Sequence, residues 1–192
     1  MEFEFMENDI KRIFFESIEL KRQFLEEGSA NIVAATNAII DSIKAGGAIY
    51  VFGNGGSAAD AQHIVAELVG KFYRLRQAFK AQAFTTNTSI LTAWSNDVSY
   101  DTIFSRQLEA WGKKGDIAWG ISTSGNSPNV VEAFKKAREL GVTTIGMTGM
   151  GGGAMEELSD VLIAVPSKDT PRIQETHETI YHAVCELVEK AF

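Results

Sequence analysis

The chain has 192 residues, 45% of them hydrophobic, so it can bury a full core, and its length fits one domain over residues 1–192 better than two. The formal net charge of −7, without any basic run, argues against direct binding of nucleic acid or an anionic membrane. Acidic residues stand where a signal peptide would be basic, and no apolar run is long enough to span a bilayer. The single cysteine allows no intrachain disulfide. We therefore expect a cytoplasmic protein.

Two helices are predicted before the first strand. Apolar residues recur at roughly helical spacing from Ile10 to Leu25, and the pattern repeats from Ile32 to Ile43 after Gly28.

Strands and helices alternate in the rest of the chain. Strands are predicted at residues 48–52, 81–84, 116–121, 143–147 and 161–165. Helices are predicted at residues 57–70, 89–94, 100–111, 129–140 and 171–191. Pro128 and Pro171 stand near helix starts, where proline is tolerated.

This alternation predicts a single-domain, doubly wound α/β sandwich. Its central parallel sheet would have about five strands flanked by helices, with the two N-terminal helices and a long C-terminal helix. Ligands bind such sheets beyond the carboxyl ends of the strands. The glycine loop Gly53–Ser57 and the polar loop Ser122–Ser127 both fall there, so we expect them to share one crevice.

The glycine loop is suited to an anion. Gly53, Gly55 and Gly56 let the backbone bend sharply and let a ligand reach the free amides at the start of the next helix. The same residues match a loose dinucleotide fingerprint, Gly53-x-Gly55-x-x-Ala58, which raises a nicotinamide or flavin enzyme as an alternative. The segment Phe84–Thr88, where a ribose-binding acid would stand, has no carboxylate.

The polar loop gives a second anion site. Four hydroxyls and an amide precede a helix start within Ser122-Thr123-Ser124-Gly125-Asn126-Ser127. A helix N-cap would need only one of these hydroxyls, whereas a phosphate could accept hydrogen bonds from several.

Only three histidines are present. His63 and Glu67 lie four residues apart on one predicted helix face, where they could share a metal or move a proton. His177 alone is more simply interpreted as a packed or solvated residue, and Cys185, on the face of His182, as a small buried hydrophobe. Asp97 by itself is no more than a candidate cap for the next segment.

The motifs together resemble the sugar isomerase domain family, most closely its bacterial phosphoheptose isomerases. The likeness runs from about residue 6 to the C-terminus. Four ordered motifs carry it: Gly53-Asn54-Gly55-Gly56-Ser57-x-x-Asp60-Ala61-x-His63-x-x-x-Glu67-Leu68, Ser95-Asn96-Asp97, Ile121–Ser127 and Arg172-Ile173-Gln174-Glu175-x-His177.

The resemblance implies an isomerase that converts sedoheptulose 7-phosphate into D-glycero-D-manno-heptose 7-phosphate, an early step toward surface glycans. Glu67 and His182 would be the acid/base pair, and one zinc ion would be bound by His63, Glu67, Gln174 and His182. The implied substrate contacts are Asn54, Gly55, Gly56, Ser57, Glu67, Asn96, Asp97, Ser122, Thr123, Ser124, Ser127 and Gln174. The enzyme would be a cytoplasmic homotetramer with sites at subunit interfaces, residues 1–45 serving packing and oligomerisation and residues 46–192 forming the core.

Two other functions stay open. The same family contains a non-enzymatic relative that binds the replication initiator protein, and this relative lacks the carboxylate and imidazole found here at Glu67 and His182. An isomerase of a different sugar phosphate is the second alternative.

The spacing of Gln174 and His182 poses a geometric question. Eight residues of ideal helix separate two side chains by roughly 12 Å, too far for one ion. Either Gln174 precedes the regular helix, or the two side chains come from different subunits, which we favour. On that basis we expect inactive His63→Ala and His182→Ala chains to restore each other's activity when mixed.

Overall fold

A computed structural model describes residues 2–192, with side chains described from residue 5 onward; Met1, the first residue of the predicted domain, lies outside. Five parallel strands form one sheet in the order β2-β1-β3-β4-β5. The strands are β1 Ile49–Gly53, β2 Ala81–Ala83, β3 Ile117–Ser122, β4 Thr143–Thr148 and β5 Val161–Ala164. The α-helices are α1 Glu2–Lys44, α2 Gly56–Val69, α3 Thr88–Asp97, α4 Ile103–Trp111, α5 Pro128–Leu140 and α6 Thr170–Lys190. Short 3-10 helices span Tyr100–Thr102 and Gly153–Leu158.

Helices cover both faces of the sheet, which confirms the predicted doubly wound sandwich of five strands. Successive strand residues point to opposite faces, so Val51 faces one core while Phe52 faces the other. The first core packs the sheet against α1, α2 and α6. The second packs it against α4 and α5, with α3 at its margin.

The prediction of two N-terminal helices is wrong, because α1 continues without interruption from Glu2 to Lys44. A glycine inside a helix costs only about 1 kcal/mol relative to alanine, and the packing of α1 on the sheet outweighs that cost. Gly28 also lies against the ring of the buried Phe24, where a Cβ would be 2.5 Å from Cζ. The glycine therefore makes room for a neighbour within the helix and does not end it.

The strand order fixes where a ligand can bind. The direction of connection reverses between β1 and β3, and the ends of these two neighbouring strands open a crevice at the edge of the sheet. The glycine loop follows β1 and the polar loop follows β3.

Candidate active site

The two predicted loops do share this crevice. Gly53, the last residue of β1, pairs in register with Ile121 of β3. A Cβ at Gly53 would lie 2.8 Å from the carbonyl oxygen of Ile121, so only glycine permits this close approach. Side chains also link the loops, because the amides of Asn54 and Asn129 exchange hydrogen bonds of 2.8 Å.

The glycine loop leads directly into α2. Gly55 adopts a φ of 57° and stands at the N-cap of this helix, a conformation that favours glycine. Ser57 is buried in the first turn. A Cβ on Gly56 would come within 2.6 Å of Nε2 of Gln174, so the Gln174 side chain lies directly against the start of α2.

The polar loop brings its serine side chains together. Oγ of Ser122 lies 2.9 Å from Oγ of Ser127 and 3.4 Å from Oγ of Ser124. Ser122 is buried and Ser124 is exposed, so the hydroxyls run from the floor of the crevice to its rim. Thr123 and Ser124 also line a cavity of about 260 Å³ shared with Ser167, Lys168 and Thr170. Ser127 is the N-cap of α5 and Pro128 its first residue, one residue before the predicted start, so an anion here would meet the positive end of a helix.

The segment after α3 reaches the same crevice. Asn96 donates a 2.9 Å hydrogen bond to Asp97, and both side chains are exposed at the end of α3. Asp97 is not the cap of the next segment, because Ser99 caps the 3-10 turn through Asp101 N–H. The hydroxyl of Tyr100 donates to Oδ1 of Asn54, so this segment and the glycine loop are in contact.

A cluster of potential metal ligands lies on α2 and α6. One ligand atom from each of His63, Glu67 and His182 can be chosen so that all lie within 4.8 Å of one another. Nε2 of His63 is 3.2 Å from Oε1 of Glu67, and the rings of His63 and His182 are 4.9 Å apart. Two imidazoles and a carboxylate suit zinc, and three protein ligands are typical of catalytic zinc sites.

The surroundings of the cluster also fit a cation. The Tyr181 hydroxyl lies 3.0 Å from Nδ1 of His63, so it can accept a hydrogen bond from that nitrogen while Nε2 binds a metal. Asp60 is buried one turn earlier on α2, and its Oδ2 has no partner among the described residues. Burial and the nearby Glu178 raise the pKa of Asp60 to about 6, with His63 opposing the shift.

Gln174 does not join this cluster within one chain. It is the fifth residue of the regular helix α6, so it does not precede the helix as one interpretation required. The helices run side by side in the same direction, with Gln174 opposite Gly56 and Tyr181 opposite His63. Gln174 is therefore about two turns from the cluster, roughly 12 Å along the axis. A zinc site with all four predicted ligands would therefore need Gln174 from another subunit, which is the arrangement favoured above, and the four-ligand set stays a prediction.

The same geometry overturns the expectation that His63→Ala and His182→Ala chains restore each other. His63 and His182 stand next to each other on one chain, so each variant loses a different part of its own cluster. A mixture of the two would contain no intact cluster.

Two residues with ambiguous sequence signals are structural. His177 is fully buried, with Nε2 3.0 Å from the carbonyl of Thr148, and burial lowers its pKa to about 4. Cys185 is buried in the core between the sheet and α6, and burial raises the pKa of its thiol to about 12. Both simple interpretations of these residues agree with the structure.

Sequence reasoning missed three residues that support the site. Tyr181 precedes His182 directly, Asn129 follows Pro128 at the start of α5, and Tyr100 lies beyond the Ser95-Asn96-Asp97 motif. Their proximity to motif residues was the only available signal, because their contacts cross 46 to 118 residues of sequence.

Comparisons with known proteins agree with this geometry. The sequence profile of the SIS domain matches residues 14–149. A phosphoheptose isomerase of Aquifex aeolicus is 51% identical over 181 residues, covering 94% of this chain and 95% of that protein. One of Clostridium acetobutylicum is 50% identical, covering 96% and 95%. The solved structure of phosphoheptose isomerase from Neisseria gonorrhoeae has a TM-score of 0.91 and 40% identity, covering 96% of this chain and 99% of that one.

The chain therefore belongs to the SIS domain family, whose matched region contains the glycine loop and the polar loop. Within that family it belongs with the phosphoheptose isomerases, to which it is about half identical over nearly its whole length.

Proposed function

We propose that this chain is an isomerase that converts sedoheptulose 7-phosphate into D-glycero-D-manno-heptose 7-phosphate, a precursor of surface-glycan heptose. The observation that carries the proposal is the meeting of Glu67, His63 and His182 on helices that border the crevice of the two anion-binding loops. The relatives at about 50% identity are named phosphoheptose isomerases. The dinucleotide and initiator-binding alternatives gain no support from these relatives.

The chemistry requires an acid/base pair beside the reacting carbons. Conversion of a ketose into an aldose removes a proton from one carbon and returns it to the neighbouring carbon through an enediol. Glu67 is half-buried and His182 lies beside it, so a carboxylate and an imidazole can serve as base and acid on one substrate. A zinc ion bound by His63, Glu67 and His182 would supply a Lewis acid for the developing oxyanion. Glu67 cannot be a tight ligand and a free base at the same moment, so the two roles would alternate.

The polar loop in the crevice would bind the phosphate. The converging hydroxyls of Ser122, Ser124 and Ser127 at the start of α5 are suited to donate hydrogen bonds to it, with Thr123 beside them. Asn54, Gly55, Gly56, Ser57, Asn96 and Asp97 would contact the sugar. Binding energy from the phosphate then orients the reacting carbons.

We further propose a homotetramer in which a neighbouring subunit supplies Gln174 to the zinc site. An apolar stripe of α1 is exposed at Ile10, Phe14, Ile18 and Leu25, and burial of such a stripe against a second copy is strongly favourable. Arg172, two residues before Gln174, donates to the carbonyl of Ile13 on α1. A copy packed on this stripe would therefore come close to the turn of α6 that contains Gln174.

No helix among residues 2–192 is both long enough and apolar enough to cross a membrane. The cytoplasmic location implied by the sequence resemblance stays a prediction.

The direct test is incubation of the purified protein with sedoheptulose 7-phosphate, following the aldose by NMR with zinc and with a chelator. Glu67→Gln and His182→Asn should each lower turnover at least about a hundredfold with an unchanged circular dichroism spectrum. Glu186→Gln is the control. Glu186 lies four residues after His182 on α6, where it pairs with Lys190, and this variant should keep wild-type turnover. Near-normal turnover of either active-site variant would remove that residue from the mechanism.

Subunit mixing tests the shared site. Gln174→Ala and His182→Ala chains, reassembled together, should regain partial activity, because some sites receive an intact cluster from one chain and Gln174 from another. The His63→Ala and His182→Ala mixture should stay inactive. Recovery of the second mixture but not the first would contradict this assignment of residues to subunits.

A further inference from the structure

The side-chain amide of Asn54 is held by two residues outside the predicted site. Nδ2 of Asn54 donates to Oδ1 of Asn129, and Nδ2 of Asn129 donates back to Oδ1 of Asn54, both at 2.8 Å. The hydroxyl of Tyr100 donates to the same Oδ1 of Asn54, also at 2.8 Å. Rotation of the Asn54 amide out of its plane would break all three bonds at once.

Most of the donor and acceptor positions of the Asn54 side chain are therefore occupied. A primary amide has two N–H donors and an oxygen with two lone pairs. Asn129 and Tyr100 occupy both lone pairs, and Asn129 accepts from one N–H. One N–H of Asn54 remains for a further acceptor.

The two partners are fixed by different parts of the fold. Asn129 is 1% exposed and is the second residue of α5, the helix that begins at the polar loop. Tyr100 starts the 3-10 turn that follows α3 and the Asn96–Asp97 pair. The network thus joins three segments that border the crevice, and it meets at Asn54, the second residue of the glycine loop.

We propose that Tyr100 and Asn129 are positioning residues that aim the remaining N–H of Asn54 at an oxygen of the bound sugar phosphate. This rests on the proposed function, in which Asn54 contacts the substrate. A fixed donor loses less conformational entropy on binding than a freely rotating one, so the network should strengthen substrate binding. The two partners act through Asn54 and do not themselves touch the substrate.

A mutant cycle tests this mechanism. Tyr100→Phe should raise KM about tenfold and leave kcat within about twofold, as expected when binding is weakened equally in the ground and transition states. In an Asn54→Ala background the same substitution should change KM less than about twofold, because the amide through which Tyr100 acts is gone. Asn129→Asp, which cannot donate to Asn54, should also raise KM.

Tyr50→Phe is the matched control. Tyr50 lies on β1 and its hydroxyl donates to the carbonyl of Trp111 at 2.9 Å, so the variant loses one tyrosine hydrogen bond of similar length outside the crevice. It should keep the wild-type KM. An equal rise of KM in the two tyrosine variants would mean that the effect of Tyr100 is a general loss of stability, and would overturn the proposal.

The remaining outcomes are equally decisive. Multiplicative effects of Tyr100→Phe and Asn54→Ala would show that Tyr100 does not act through Asn54 and would overturn the proposal, and an unchanged KM in Tyr100→Phe would show that the network only joins the loops. If the wild-type protein lacks isomerase activity, the proposed function fails, and the network is then tested without substrate. The side-chain amide signals of Asn54 in a ¹⁵N–¹H NMR spectrum should shift in Tyr100→Phe and not in Tyr50→Phe; unshifted signals would overturn the geometry.

Discussion

Acid should weaken the fold through His177, and His177→Gln should remove this effect. The imidazole is fully buried, with Nε2 as donor to the carbonyl of Thr148 at 3.0 Å, and its Nδ1 has no partner among the described residues. A proton added to Nδ1 would create a buried charge without a counterion. Glutamine keeps an N–H donor for Thr148 and does not titrate.

The magnitude follows from the difference between the two pKa values. Burial lowers the pKa of His177 from 6.5 to about 4, so the unfolded chain binds this proton first as the pH falls. The stability contributed by the neutral imidazole is complete above pH 6.5 and is lost as the pH falls toward 4. A difference of this size corresponds to about 3 kcal/mol of unfolding free energy.

Urea unfolding of metal-free protein at one protein concentration, from pH 7.5 to pH 4, measures this effect. The wild type should lose about 3 kcal/mol more than His177→Gln across that range. Thr176→Val, a substitution at the neighbouring buried position, introduces no titrating group and should follow the wild-type pH dependence. If His177→Gln follows it as well, then His177 is either accessible to protons or already charged in the folded chain, and the reasoning is refuted.

Three further outcomes can be checked independently. Ser124→Ala should weaken binding of the sugar phosphate and of inorganic phosphate together, measured by calorimetry, and unchanged phosphate binding would assign the polar loop to the sugar instead. Phe14→Glu places a charge on the exposed stripe of α1 and should dissociate the proposed tetramer in sedimentation experiments, whereas Arg12→Glu on another face of α1 should not. Glu189→Gln should speed tryptic cleavage after Arg74 severalfold relative to Glu186→Gln, because Glu189 accepts hydrogen bonds from the N–H groups of Phe72, Tyr73 and Arg74. Burial acts to raise the pKa of Glu189, but these hydrogen bonds act against it and the pKa is lowered overall.

Local sequence determined much of the fold and the two loops. The strand at residues 117–122 is an apolar run, and Pro128 and Gly141 mark the ends of the helix that follows, so their bounds were predictable to within one residue. The glycine and polar loops were recognisable because their composition follows from backbone conformation and anion binding. Gly28 misled the prediction, because a glycine looks the same in the sequence whether a helix ends there or continues with the glycine packed against Phe24.

Tertiary structure alone decided which side chains meet. Helical spacing within α2 indicated that His63 and Glu67 are neighbours, but only the parallel packing of α2 and α6 brings His182 to them and keeps Gln174 at the start of α2. The same is true of Tyr100, Asn54 and Asn129, whose bonds join three segments far apart in sequence. A periodicity reports one element at a time, whereas the relative position of two elements depends on the summed packing of every residue between them. The sequence therefore determined the residue types available for chemistry, and the packing of the helices on the sheet determined the groups they form.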